Sequence, residues 1–195
     1  MENSFKQVAL SNVRYNPDLH RAQVISENDE LAEEILSHKE VKSFRSNNVL
    51  DLDNIMKNEY AESDTYSVTI PVVTKDEKIV KFLIAYVNPK SETTTNKLLT
   101  IKKNQDSTTT YVISDLDGTN QSQTRLDVNF NKVDRKETKL VKSQGFVDCI
   151  QEEFNALPWW LKAACTGSCG TCFGIVGPAC AACAGCIGGN ARFCL

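Results

Sequence analysis

Six cysteines fall within CTGSCGTCFGIVGPACAACAGC, the 22 residues from Cys165 to Cys186, a stretch with no charged residue and no histidine. The remaining two, Cys149 and Cys194, flank it, so all eight cysteines of the 195-residue chain lie in its last 47 residues. No other feature limits the fold as much. So short a segment buries too little apolar surface to hold itself together, and cross-links or a metal must supply what a core does not. The composition changes with the cysteines. Eight of the nine glycines lie at or after Gly145, and from Phe154 onward only Lys162 and Arg192 carry charge. Residues 1–153 hold the other 20 of the 22 basic residues and all 25 acidic ones, a net charge of -5. An acidic domain is joined to a cysteine-dense tail.

The spacing in the tail reads as a helical hairpin. Cys165, Cys169 and Cys172 stand at i, i+4 and i+7, one face of a helix. Cys180, Cys183 and Cys186 stand at i, i+3 and i+6, nearly one face. Folding back about Gly174-Ile175-Val176-Gly177-Pro178 matches Cys172 with Cys180, Cys169 with Cys183 and Cys165 with Cys186, each pair having nearly the same sum of residue numbers. The residues between are small, as they must be where bridged Cα atoms approach to about 4.4–6.8 Å. Cys149 and Cys194 then pair by elimination. A second reading stays open. Cys165-x3-Cys169-x2-Cys172 matches the cluster motif of radical SAM enzymes, and Cys180-x2-Cys183-x2-Cys186 resembles part of a ferredoxin motif. An intracellular zinc, iron–sulfur or redox-binding protein is the corresponding alternative. Disulfides are the preferred reading, with no metal and no cofactor.

Upstream, residues 1–25 read as a polar extension. Ser26 and Asp29 have the spacing of a capping box, and Leu31, Ile35, Leu36, Val41 and Phe44 recur at helical spacing. A second short helix is expected over Leu50–Met56. After Glu62 the period changes to two, from Tyr66-Ser67-Val68-Thr69-Ile70 to Leu126-Asp127-Val128-Asn129-Phe130, with short links that suit antiparallel hairpins. Residues 26–132 are thus expected to form an α+β domain, a helix or two followed by an antiparallel sheet of about five strands. Residues 133–145 are a charged linker and cleavage region with Arg135, Lys136, Lys139 and Lys142. Residues 146–195 are expected to form a small all-α, disulfide-stapled domain.

Chemistry-bearing motifs are sparse. Ser114-Asp115-Leu116-Asp117-Gly118-Thr119 looks like the nucleophile motif of haloacid-dehalogenase-type phosphatases. It ends a strand of antiparallel type, so a hairpin turn at Asp117-Gly118 is the preferred reading. His20 and His38 stand alone on polar segments. Trp159 and Trp160, with Leu161 and Lys162, read either as packing on the hairpin or as an interfacial anchor contacting a target membrane. No catalytic residue is expected.

The segment from Cys149 through LPWWLKAAC to the cysteine-rich end resembles the halocin-type bacteriocin domain of archaeal and Gram-positive peptides. The resemblance covers residues 146–195. It implies a precursor, not an enzyme, cut to release a disulfide-rich antimicrobial peptide that acts on a target-cell membrane or membrane receptor. It further implies a processing protease, an exporter and a preceding domain that serves as leader or immunity protein, with no nucleic acid among the partners. The released peptide is expected to be secreted, by a route not visible in the N-terminus, which has neither an apolar signal segment nor a twin arginine.

Overall fold

The structure, a computed structural model, describes residues 19–60, 63–133, 169–170, 172 and 177–191. Its frame is one antiparallel sheet of seven strands: β1 (Leu19–Ile25), β2 (Ile55–Tyr60), β3 (Tyr66–Val72), β4 (Ile79–Asn88), β5 (Thr93–Lys103), β6 (Thr109–Ser114) and β7 (Ser122–Leu126). Strand order follows chain order from β1 to β7, so every strand pairs with its sequence neighbours. Among the described residues, α1 (Glu30–Ser37), α2 (Lys39–Arg45) and, in the tail, α3 (Gly177–Ala191) accompany it, and Cys169, Gly170 and Cys172 are also helical.

This corrects the expected order of a helix followed by a sheet of about five strands. The chain enters the described fold on a strand, β1, which pairs antiparallel with β2. Only then do α1 and α2 cross over the sheet. Helix α1 begins one turn later than the Ser26 signal suggests: Asp29 is the cap, its Oδ1 accepting from the Leu31 amide at 3.1 Å. Ser26 instead closes a tight turn, its carbonyl accepting from Asp29 N at 3.0 Å. The helix expected over Leu50–Met56 shrinks to a single 3₁₀ turn, Leu52–Asn54, which leads directly into β2. The reason is that Met56, Asn58 and Tyr60 alternate with Lys57 and Glu59, a period of two that gives β2 one face toward each layer.

Alternation along the strands produces two different cores. On one face, Ile25, Ile55, Val68, Ile70, Leu83 and Ala85 pack under Ala32, Ile35, Val41 and Phe44 of α1 and α2. On the other, Met56, Tyr60, Phe82, Ile84, Leu99 and Tyr111 pack against tail residues including Cys180, Ala184 and Ile187. Strand β4 lies between these layers, and six of its residues in succession, Phe82 to Val87, are buried. The described part of the tail is therefore not a separate helical domain: α3 lies on β2, β3 and β4 and shares their core. Every residue from Ala179 to Gly188 is buried. A helix apolar on all sides must be covered on all sides, and a two-armed hairpin alone cannot do that.

Candidate functional site

The tail meets the sheet through backbone rather than bulk. A Cβ on Gly185 would lie 2.7 Å from Asn58 Oδ1, and one on Gly188 would lie 2.5 Å from Tyr60 Oη and 2.9 Å from Ser67 Oγ. Real Cβ atoms do not approach that closely, so glycine is what lets α3 sit this deep. The sheet residues beneath form a polar strip. Tyr60 Oη donates to the Gly185 carbonyl at 2.9 Å and lies 2.6 Å from Ser67 Oγ. Asn58 Nδ2 reaches Ser67 Oγ and Thr69 Oγ1, each at 3.4 Å. Asn58, Ser67 and Thr69 are all buried, on adjacent strands that place Asn58 opposite Ser67.

This face is poorly satisfied. Among the described residues, Asn58 Oδ1, Tyr86 Oη, Thr109 Oγ1, Tyr111 Oη and Thr124 Oγ1 are buried without a hydrogen-bond partner, and all five belong to the tail-bearing side of the sheet. Burial, with a smaller contribution from the nearby Tyr60 group, pushes the Tyr86 hydroxyl far above its ordinary value, and burial does the same to Tyr111. The opposite face has one comparable atom, Asn96 Oδ1, at the edge where Asn96 Nδ2 contacts Glu40 Oε1 at 2.6 Å and His38 Nδ1 at 3.1 Å. The two faces of one sheet thus differ in kind. The face under α1 and α2 is mostly aliphatic, whereas the tail-bearing face intersperses buried hydroxyl and amide groups among Met56, Phe82, Ile84, Leu99 and Ile101.

The expected cysteine residues divide as follows. Cys169 is bonded to Cys183 and Cys172 to Cys180, with Cα separations of 4.5 and 4.6 Å. These are the two inner rungs of the ladder read from the spacing. Cys186 is also in a disulfide, and its partner lies outside the described residues. Cys149, Cys165 and Cys194 lie outside them too, as do Trp159, Trp160, Leu161 and Lys162 and the linker region 134–145. The five described cysteines are at most 1% exposed. Bonded sulfurs have no thiolate to offer a metal, and no cluster of three or more metal-ligating side chains exists among the described residues. Nor is any described helix long and apolar enough to cross a membrane.

The phosphatase-like motif is a turn. Asp115 N donates to the Thr119 carbonyl at 3.0 Å, Gly118 takes a positive φ of 84°, and Asp117 Oδ1 accepts from the Thr119 amide at 2.8 Å. Asp115 also accepts from Asn120 Nδ2 at 2.6 Å and pairs with Lys97, whose side chain is only 4% exposed. The nucleophile position is therefore spent on holding the β6–β7 hairpin. A further feature was not anticipated from sequence. Residues of β5, β6 and β7 and of the adjoining links line a cavity of about 1190 Å³ whose lining includes Lys78, Lys102, Lys103, Arg125 and Lys132. Arg125 is paired there with Asp106. Its cations come from four separate segments, so no local run of charge signals it.

Comparison with models of protein families, with curated proteins and with solved structures gave no match to this chain.

Proposed function

We infer that the chain is the precursor of a disulfide-bonded antibacterial peptide, held inactive on a sheet domain until it is cut free. The observation that carries this reading is the chemistry of the covered sheet face. A permanent core is aliphatic, as under α1 and α2, whereas an interface meant to part is more polar and rich in tyrosine. Hydroxyl and amide groups left unpaired beneath the tail gain water when the tail leaves, which lowers the free-energy cost of exposing that face. The resemblance of residues 146–195 to halocin-type bacteriocins supplies the activity. The sheet domain is then the leader, and the charged segment 133–145 is where a processing protease acts. The freed peptide is exported and acts on a target-cell membrane or membrane receptor. Its Trp159-Trp160 pair, with Leu161 and Lys162, supplies the contact.

The test is growth inhibition of a Gram-positive indicator strain by the oxidised full chain before and after limited trypsin treatment. Inhibition is expected only after cutting, and only while the bridges are intact. Equal inhibition by reduced and alkylated material, or by the uncut chain, would refute the reading. Stoichiometric zinc or iron in the purified chain would favour the metal-binding alternative instead.

A further inference from the structure

The tail is poorly equipped to choose its own disulfides. Helix α3 spans 15 residues, four of them glycines: Gly177, Gly185, Gly188 and Gly189. Helices of this length are marginal in isolation even with good helix formers, and each glycine weakens them further. The cysteines give little guidance once the helix is lost, because eight of them allow 105 connectivities. In an ideal helix the row Cys180, Cys183, Cys186 rotates by about 60° per step, so the pairing depends on how α3 is turned about its axis. In the structure that rotation is set by the sheet. Gly185 and Gly188 face Asn58, Tyr60 and Ser67, and Tyr60 Oη holds the Gly185 carbonyl. With α3 so placed, Cys180 and Cys183 meet Cys172 and Cys169.

We propose that the sheet domain is an intramolecular folding template that selects the disulfide connectivity of the tail, by seating Gly185 and Gly188 on the Asn58–Tyr60–Ser67 strip. The step is ordinary thiol–disulfide exchange with a small-molecule disulfide as oxidant. One cysteine thiolate attacks that disulfide, forming a mixed disulfide and releasing one external thiolate. A second cysteine thiolate attacks the mixed disulfide and releases the other. Two protein thiols and one external disulfide thus become one protein disulfide and two external thiols. Exchange continues until the isomer that can seat both glycines accumulates, because mispaired isomers turn α3 away from the strip. The proposal is independent of the antibacterial reading, since it concerns how the tail folds and not what it does.

Gly188→Ala separates the two accounts because it pushes them in opposite directions. Alanine strengthens an isolated helix, so a tail that pairs itself should regain Cys169–Cys183 and Cys172–Cys180 at least as well as before. A template that needs Gly188 against Tyr60 and Ser67 cannot seat the alanine. The reduced, unfolded full chain is reoxidised in a glutathione buffer, and its bridges are mapped by peptide mass spectrometry. The expected result is a fall in the ratio of native to scrambled pairs of at least about fivefold, the change made by loss of one buried hydrogen bond. Tyr60→Phe alone, which leaves the tail sequence untouched and takes away the hydrogen bond to the Gly185 carbonyl, should lower the ratio in the same direction. Unchanged or improved pairing in Gly188→Ala overturns the proposal. So does a fall in Gly188→Ala with unchanged pairing in Tyr60→Phe, since the fault would then lie within the tail.

Discussion

Replacing Tyr86 and Tyr111 by phenylalanine should stabilise the intact, oxidised chain. Both rings are packed in the core on the tail-bearing face and are at most 1% exposed, and neither hydroxyl has a hydrogen-bond partner among the described residues. Phenylalanine keeps the ring and removes only the oxygen. An unpaired buried hydroxyl costs roughly 1–3 kcal/mol. The void left by one oxygen returns roughly 0.3 kcal/mol of that, at about 24 cal/mol per Å³. Each substitution is therefore expected to add about 1 kcal/mol. The two sites are well separated: Tyr86 lies opposite Thr95 and Tyr111 opposite Ile101, six residues further along β5. Their effects should therefore add, giving about 2 kcal/mol. For a chain of this size that raises Tm by about 4–8 °C. Differential scanning calorimetry of the oxidised chain, wild type against the double variant, reads this directly. A fall in Tm, for either single variant or for the pair, would refute the reasoning, because it would mean that the hydroxyls are satisfied in the folded protein. The same variants should have the opposite effect after the tail is removed. The exposed face would then lack two hydratable groups, and the freed sheet domain should aggregate at lower concentration.

The buried ion pair has an asymmetric expectation. Asp115→Asn strands Lys97, and should destabilise the chain by about 3 kcal/mol in urea titration, whereas Lys97→Met should be within about 1 kcal/mol of wild type; equal losses would show that the pair, not the stranded charge, sets the cost. The Asp117 carboxyl is held below its ordinary value chiefly by the Thr119 hydroxyl, with help from the Thr119 amide. A depressed folded value means that the β6–β7 turn is supported above the ordinary carboxylate range and loses that support as pH falls through and below it. Protection of the Thr119 amide, its exchange rate measured against the intrinsic one, should fall over that window, and Asp117→Asn should abolish the dependence. Gly118→Ala should cost about 1 kcal/mol from its left-handed backbone alone, since nothing lies within 4 Å of the added carbon; a neutral result would place Gly118 at negative φ.

Local patterns made part of this legible in the sequence. The alternation from Tyr66 onward marks strands because one residue in two must face a core; it misleads at its end, where β7 stops at Leu126 and the alternating residues Asp127 to Phe130 form a turn, the Phe130 amide donating to the Asp127 carbonyl at 3.0 Å. The spacing of Cys169, Cys172, Cys180 and Cys183 anticipates the two described bridges because a hairpin leaves few geometries in which sulfurs meet. What escaped detection depends on distant partners. β1 has a weak pattern of its own, and becomes a strand by pairing with β2, some thirty residues later. Leu50, Leu52, Ile55 and Met56 fit a helix as well as a strand, until the pairing of β2 with β3 decides between them. Ser67 falls on the polar side of the Tyr66–Ile70 alternation and Asn58 lies outside any element expected from the sequence, and nothing nearby announces that Gly185 and Gly188 cover them. The cysteine-dense tail looked self-contained for the same reason. Its own residues show that it needs covering, but not by what.

The order of the strands also bears on the timing of synthesis. Each strand of the sheet pairs only with its neighbours in the chain, so each hairpin can close as soon as its second strand has left the ribosome, with no wait for a distant segment. The pairing surface is complete once Leu126 has emerged. All eight cysteines, from Cys149 to Cys194, lie beyond that point. At roughly 5–20 residues per second, the interval before the last cysteine appears is several seconds. That is far longer than a β-hairpin of about 1–10 μs needs to form. The thiols are therefore born onto a surface that already exists, and the chain's N-to-C direction is itself part of how it avoids cross-linking wrongly.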